Sequence, residues 1–303
     1  MINMGNSLYS IQMNSHLTAV EQAMPKYIPS SDEDGRSALF KAMNYACSEG
    51  GKRLRPVLVL EFCRLCSGDV KSAIPFACAV EMIHSYSLAH DDLPCMDDSL
   101  LRRGRQSLYA AFGEALALLA GDALLNRAFE VMLCNQPESG LSSDTVLKAA
   151  SVLACASGAL GMVGGQTLDL QSQCKVIDID TLELLQLGKT AALLSASCEM
   201  GCIIAGANNQ KQTAAREFGT QLGLSFQIID DILDSTSTSD KLGKPTGNDR
   251  LNGTATYVSL LGLEKARILA EERSRQALFA LEIFGEESEG LKKLTFSLLN
   301  RNK

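Results

Sequence analysis

Two aspartate clusters dominate the chain, Asp91-Asp92-Leu-Pro-Cys-Met-Asp97-Asp98 and Asp230-Asp231-Ile-Leu-Asp234. Carboxylates this close repel one another unless cations neutralise them, and aspartate is seldom buried without a partner. Hard oxygen donors favour Mg²⁺, which usually joins one or two protein carboxylates to substrate phosphates. The clusters therefore read as two halves of one metal and diphosphate site. Asp230 and Asp234 stand four apart and share a helix face, about 6 Å from each other. Phe226, Ile228, Ile229, Ile232 and Leu233 surround them, which argues against a merely solvated acidic face. In the first cluster Pro94 interrupts helical hydrogen bonding. An apolar helix from about Phe76 to His90 would deliver Asp91 and Asp92 at its C-terminal end, and a turn would return Asp97 toward them. The helix macrodipole opposes anions there, a cost that bound cations relieve.

The cationic counterpart is Gly50-Gly51-Lys52-Arg53-Leu-Arg55-Pro56, three positive side chains beside a backbone-accessible turn suited to phosphate oxygens. A short basic run alone is more often solvated, and it is the pairing with the acidic clusters that favours an anion site. A second group follows at Arg102-Arg103-Gly-Arg105. His84, taken alone, reads as a satisfied helix histidine.

These groups must be carried by helices. The seven prolines leave Glu138 to Lys244 without one, and apolar residues recur at three- and four-residue intervals in Ala111–Leu133, Asp144–Met162, Ile179–Ala205 and Thr213–Leu233. Several segments are apolar on more than one face, which calls for a central helix layer wrapped by others. Loops are expected at 27–35, 134–143 and 235–253, where Ser, Asn, Gly and Pro gather. Only 5% of the residues are aromatic and none is Trp, a balance that favours packed helices over β-sandwiches. No fixed-period repeat or Gly/Ser linker divides the 303 residues, so the expectation is one all-α domain.

A net charge of −7, from 28 basic and 35 acidic residues, argues against a general polyanion-binding surface and against nucleic acid as a partner. The first residues lack a basic segment followed by an apolar core, and no apolar run approaches the length needed to span a membrane. Ten scattered cysteines fit reduced, buried thiols, which points to a cytoplasmic protein. Cys63-x-x-Cys66 lacks the second ligand pair that a zinc site needs.

The chain resembles the trans-isoprenyl diphosphate synthases, and within them the bacterial farnesyl diphosphate synthases. The resemblance runs through GGKRLRP at 50–56, EMIHSYSLAHDDLPCMDD at 81–98, RRG at 102–104, LAGDALL at 119–125, GMVGGQTLDL at 161–170, Lys189-Thr190, FQIIDDILD at 226–234, LGKPTGND at 242–249 and the terminal Arg301-Asn302-Lys303. It implies an isoprenoid synthase helical bundle around a deep central cavity, a homodimer, and three Mg²⁺ ions, with Mn²⁺ as an alternative. Asp91, Asp97 and Asp230 would be the main metal ligands, with Asp92, Asp231 and Asp234 contributing ligation or local potential. Arg102, Lys189 and Lys244 would hold the allylic diphosphate, with Thr190 and Gln227 nearby. Isopentenyl diphosphate would meet Gly51, Lys52, Arg55, His84 and Arg103. The implied reaction is allylic ionisation, condensation and proton loss, giving farnesyl diphosphate from isopentenyl, dimethylallyl and geranyl diphosphates. Tyr86, five residues before Asp91 and so roughly 7 Å deeper along a helix, would form the cavity floor that limits product length.

Two stretches depart from the family pattern. Gly104-Arg105-Gln106-Ser107-Leu108-Tyr109 replaces a Gly-x-Pro-Thr segment followed by His, and Thr254 stands where a lysine usually contacts diphosphate. Lys241, Lys244, Arg301 and Lys303 are the candidate compensating cations. A geranyl or geranylgeranyl diphosphate synthase would share nearly every site residue, and a noncatalytic partner subunit would keep the fold while losing ligands.

Overall fold

The computed structural model describes residues 8–30, 35–48, 50–134, 140–236 and 255–299. Lys241, Lys244, Thr254, Arg301 and Lys303 lie outside the described residues. The all-α expectation is met, since helices carry most of the described chain and the only described strands form one two-residue hairpin. Contacts divide the chain into two compact units, Met1–Ala150 with Ile203–Gly206, and Ser151–Cys202 with Ala207–Lys303.

The first unit contains α1 (Leu8–Tyr27), α2 (Ser37–Cys47), α3 (Leu54–Leu65), α4 (Val70–Asp91), α5 (Leu108–Phe112) and α6 (Glu114–Cys134). Helix α4 packs against α1, α2, α3 and α6, which is why Phe76 to Ile83 are buried without interruption. It begins at Val70, nearly two turns before Phe76, because Asp69 caps it by accepting hydrogen bonds from the Lys71 and Ser72 amides, which leaves Pro75 inside the helix. Its C-terminal turn behaves as expected: the Asp97 amide donates to the Asp91 carbonyl at 2.9 Å and the Ser99 amide to the Asp92 carbonyl at 3.1 Å. Strands β1 (Leu101–Arg102) and β2 (Arg105–Gln106) pair antiparallel across Arg103-Gly104. Both turn residues have positive φ, 53° and 80°, as a two-residue hairpin with the right twist requires.

The second unit contains α8 (Met162–Ser172), α9 (Ile179–Gln186), most of α10 (Ala192–Ile204), α11 (Asn209–Thr236), α12 (Tyr257–Leu261), α13 (Leu263–Ala280) and α14 (Glu289–Leu299). Helix α7 (Ser143–Ser157) crosses the boundary between the units. A core of Leu182, Ile228, Ile229, Ile232, Tyr257, Ala266 and Ala270 joins α9, α11, α12 and α13. The expected helix over 179–205 is continuous except for a π-turn at Leu187–Ala191. Its cause is packing: a Cβ on Gly165 would lie 2.1 Å from the Lys189 nitrogen, and one on Gly188 would lie 2.8 Å from the Gly161 carbonyl. Glycines on both helices let the backbones meet where the π-turn widens the ladder.

By length and composition alone, Ser143–Ser172 and Ile179–Ile204 are apolar enough to cross a bilayer, contrary to the reading of residue runs. The first is broken at 158–161, and its two helices of 15 and 11 residues are each too short to span a hydrocarbon core of about 30 Å. In the second, 72% of the apolar window is buried in protein. All ten cysteines are free. Cys63, whose thiol lies 3.6 Å from the Asp69 carbonyl, is pushed up to about 12 by burial first and by the Asp69 charge second.

Replacing Gly165 with Ala forces a methyl group into the Lys189 backbone. The expected outcome is a loss of about 1–3 kcal/mol in denaturant unfolding, and an unchanged midpoint would show that the close contact is dispensable.

Candidate active site

The two aspartate clusters lie in different units, and each unit assembles its own set of partners. In the first, Asp91 and Asp92 end α4, with Asp92 1% exposed. Arg102 Nε donates to both Asp92 oxygens at 3.0 and 3.2 Å, and Arg102 Nη2 bonds to Asp92 Oδ1 as well. Burial disfavours the Arg102 charge, but the Asp92 hydrogen bonds and the charges of Asp92, Asp91 and Asp97 outweigh it and raise its pKa. The residue expected to hold diphosphate and a carboxylate expected to assist metal binding are thus joined to each other. Asp91 is half-buried, Asp97 is exposed, and Asp98 accepts from the Tyr109 hydroxyl at 2.7 Å.

The segment that departs from the family pattern has its own supports. Arg105 lies 4.2 Å over the Tyr45 ring, and the Tyr45 hydroxyl donates to the Gln106 carbonyl at 2.8 Å. Ser107 is fully buried at the N-cap position of α5, and its hydroxyl makes no capping bond and has no hydrogen-bond partner among the described residues.

The basic turn divides its three cations. Arg53, in the left-handed region at φ 45°, is only 8% exposed; its Nη1 bonds to Glu81 Oε1 at 2.5 Å and its Nη2 to the Cys47 carbonyl. Glu81 is 2% exposed, so this is a buried ion pair that draws Arg53 inward. Lys52 is exposed and Arg55 half-buried, its Nε enclosed with no hydrogen-bond partner among the described residues. Burial lowers the Arg55 pKa, Glu81 opposes that shift and Arg103 adds to it. Arg103 Nη1 bonds to the Gly50 carbonyl, and the guanidinium rests where a Cβ on Gly51 would come within 2.5 Å of it. Gly51 has φ 114° besides, a backbone conformation that calls for glycine.

His84 lies one helical turn beyond Glu81. Burial first, then Arg55, Arg103, Arg53 and Arg102 in turn, hold its pKa well below the ordinary value. It is a neutral imidazole within a field of four guanidiniums. Tyr86 is 6% exposed and meets His90 edge-on, with ring centroids 5.7 Å apart. His90 in turn fits over Gly121, where a Cβ would fall 2.1 Å from its Nε2, which itself lies 3.0 Å from the Leu118 carbonyl.

In the second unit Asp230 and Asp234 are half-buried on α11 and Asp231 is 5% exposed. Asp231 Oδ1 accepts from Gln227 Nε2 at 3.0 Å and Oδ2 accepts from the Tyr257 amide at 2.8 Å. The Thr190 hydroxyl donates toward Gln186 Oε1 at 3.0 Å and Gln227 Oε1 at 3.3 Å. Lys189, on the π-turn, pairs with Asp169 of α8.

Sequence reasoning left Glu81, Asp169 and Tyr257 out of the site. Glu81 had a signal, a lone charge in a wholly apolar helical stretch, which must find a buried partner. Asp169 and Tyr257 carried none, since their partners are 20 and 26 residues away in sequence.

The donor set fits Mg²⁺. Within each unit the aspartates, Asp91 and Asp97 in the first and Asp230 and Asp234 in the second, supply hard carboxylate oxygens, while among the described residues no three His, Cys, Asp or Glu side chains converge as a ready-made cage. That suits an ion held by one or two carboxylates and completed by phosphate oxygens.

A polyprenyl synthetase family model matches residues 36–294. The chain belongs to the polyprenyl synthetase family. It is 45% identical over 242 residues to the chloroplastic large subunit 1 of a heterodimeric geranylgeranyl pyrophosphate synthase from Arabidopsis thaliana, covering 79% of this chain and 65% of that one. Among solved structures, it matches an FPP/GFPP synthase from Zymomonas mobilis with a TM-score of 0.86 at 36% identity, covering 96% and 98% of the two chains. A geranyltransferase from Helicobacter pylori, complexed with magnesium and isoprenyl diphosphate, matches with a TM-score of 0.82 at 30% identity, covering 98% of each. The cytoplasmic assignment drawn from thiols and composition is overturned by the curated plant relatives, several of which are named as chloroplastic proteins. Free thiols report on redox conditions, and a reducing organelle meets them equally well.

Two outcomes test the cationic half. Glu81→Gln strands Arg53 without its counter-charge and is expected to cost about 3–5 kcal/mol in chemical unfolding, while an unchanged midpoint would show the pair to be dispensable. His84 gives a pH effect whose sign follows from its lowered pKa. The unfolded chain takes up a proton near the ordinary histidine value, about 6.5, before the folded chain does. The His84 contribution is therefore complete above that pH and is lost as pH falls below it. His84→Gln should flatten this part of the stability–pH curve, and an unchanged slope below pH 6.5 would contradict it.

Proposed function

We propose that the chain is a Mg²⁺-dependent prenyltransferase that joins isopentenyl diphosphate to an allylic diphosphate, releasing inorganic diphosphate. The observation that carries this reading is the enclosed, unpartnered Nε of Arg55 beside a neutral His84 and the guanidinium of Arg103. A buried cation donor without a partner is costly, and a polyanion supplies what is missing. Gly51, Lys52, Arg55, His84 and Arg103 would receive isopentenyl diphosphate, with Gly51 admitting both phosphate and the Arg103 fork.

Asp91, Asp97, Asp230 and Asp234 would hold Mg²⁺, and Arg102, Lys189, Thr190, Gln227 and Lys244 would meet the allylic diphosphate, Arg102 and Lys189 exchanging part of their carboxylate pairing for phosphate. Bound Mg²⁺ would supply charge neutralisation for the departing diphosphate. The cationic side chains add to that stabilisation as the allylic C–O bond breaks. The isopentenyl double bond then attacks the allylic carbon, and a proton leaves the condensed product, with released diphosphate as a candidate acceptor. An apolar enclosure would be needed to keep water from the cation.

The curated relatives support a twenty-carbon, geranylgeranyl product as the first reading. Tyr86 favours the second, a fifteen-carbon farnesyl product, because a buried aromatic ring one to two turns below Asp91 shortens the room for a growing chain. Assembly would follow the relatives as a pair of subunits, either two copies of this chain or, as for the Arabidopsis large subunit, this chain with a different partner.

Purified protein incubated with Mg²⁺, isopentenyl diphosphate and either dimethylallyl or geranyl diphosphate is expected to give a product of fifteen or twenty carbons. Tyr86→Ser is expected to lengthen it by at least one five-carbon unit. Correctly folded, metal-loaded protein that turns over neither primer would falsify the reaction, and a Tyr86→Ser product of unchanged length would remove Tyr86 from the floor.

A further inference from the structure

We propose that Asp231, the second aspartate of its cluster, is a positioning residue, leaving metal ligation in that cluster to Asp230 and Asp234. The inference deepens the prenyl-transfer reading and rests on it for its catalytic consequence. Asp231 is 5% exposed while its two acidic neighbours are half-buried, and each of its oxygens already accepts a hydrogen bond. One bond holds the amide of Tyr257, the first residue of α12. That amide is among those a helix cannot satisfy by itself, and a buried one costs free energy when left alone. Thr256 covers the Ser259 amide through its capping box, so Asp231 satisfies a different orphan donor.

The other bond runs toward the ligand-handling side chains. Asp231 fixes Gln227 through Nε2, which turns Gln227 Oε1 toward Thr190, and Thr190 also reaches Gln186. Thr190 adjoins Lys189 on the π-turn, where the Gly165 and Gly188 contacts already set the backbone. A single carboxylate thus connects the start of α12, one face of α11, the π-turn and the end of α9. Tyr257 is 1% exposed in the core of this unit, so the connection ends on packed side chains that resist movement. An ion drawn to Asp231 would have to share oxygens committed to both bonds.

Asparagine separates the two roles. In Asp231→Asn, Oδ1 can accept from the Tyr257 amide while Nδ2 donates to Gln227 Oε1. Gln227 then turns its Nε2 to Thr190, whose hydroxyl keeps its bond to Gln186, so the network survives without charge. A magnesium ligand, in contrast, needs the carboxylate. The comparison uses full-length wild type, Asp231→Asn, Asp231→Ala and Asp230→Asn. Each is titrated with Mg²⁺ in the presence of inorganic diphosphate, assayed for kcat, and followed by amide exchange at Tyr257 in metal-free protein.

Asp231→Asn should keep the Mg²⁺ dependence, hold kcat within about threefold and leave Tyr257 protected. Asp231→Ala should speed exchange at Tyr257 by at least about tenfold without metal, the scale of losing a hydrogen bond to a charged group. The proposal is overturned when Asp231→Asn weakens Mg²⁺ as much as Asp230→Asn does, or when Asp231→Ala leaves Tyr257 exchange unchanged. Where Asp231→Ala does not fold, Asp231→Asn decides. A wild type without turnover would end the prenyl-transfer reading, whereas metal-free exchange still tests the hold of Asp231 on Tyr257.

Discussion

Uncompensated charge is the constraint on which both candidate half-sites depend. The charges of four arginines act on His84, and three aspartates share two turns of α11. Neither set holds together by its own interactions, because like charges in a partly dry environment repel and each loses hydration. The protein answers with fixed counter-groups. Glu81 anchors Arg53, Asp92 anchors Arg102, Asp169 anchors Lys189, and the Gln227 amide with the Tyr257 N–H anchors Asp231. What remains outside these pairs is a smaller set, Arg55 at its enclosed Nε above all, whose deficit an anion or cation can meet.

Glycine makes several of these placements possible. Gly51 leaves space for Arg103, Gly121 for His90, and Gly165 with Gly188 for the backbone of the π-turn that carries Lys189. At each place a methyl group would push a charged or aromatic side chain, or the main chain under it, away from its position. The motifs GGKRLRP, LAGDALL and GMVGGQ therefore contain small residues for the same steric reason, even though they lie on different elements.

Much of the site could be read from residue order because its chemistry is local. Asp230 and Asp234 share a helix face by spacing, Asp97 returns to Asp91 through the turn that Pro94 begins, and Gly50-Gly51 marks a turn beside cations. The helical class was likewise visible in the apolar intervals. Less visible were the two-residue hairpin at Arg102–Arg105, the break at 158–161 and the earlier start of α4, each decided by a turn or a cap and not by periodicity. The roles of neighbouring residues of one type were hidden as well. Nothing in Lys52-Arg53-Leu-Arg55 says that the middle cation turns inward, and nothing in Asp230-Asp231 says that the second carboxylate accepts from an amide 26 residues further on.

By itself, then, the sequence determined the helical class, the positions of the charged clusters along their elements, and membership of the polyprenyl synthetase family, since all three follow from local spacing and residue type. Only tertiary structure decided which charges stay partly exposed and which are enclosed in ion pairs and hydrogen bonds. That choice turns on desolvation and on partners from distant segments, and it took packing to bring Glu81 to Arg53, Asp169 to Lys189 and Tyr257 to Asp231.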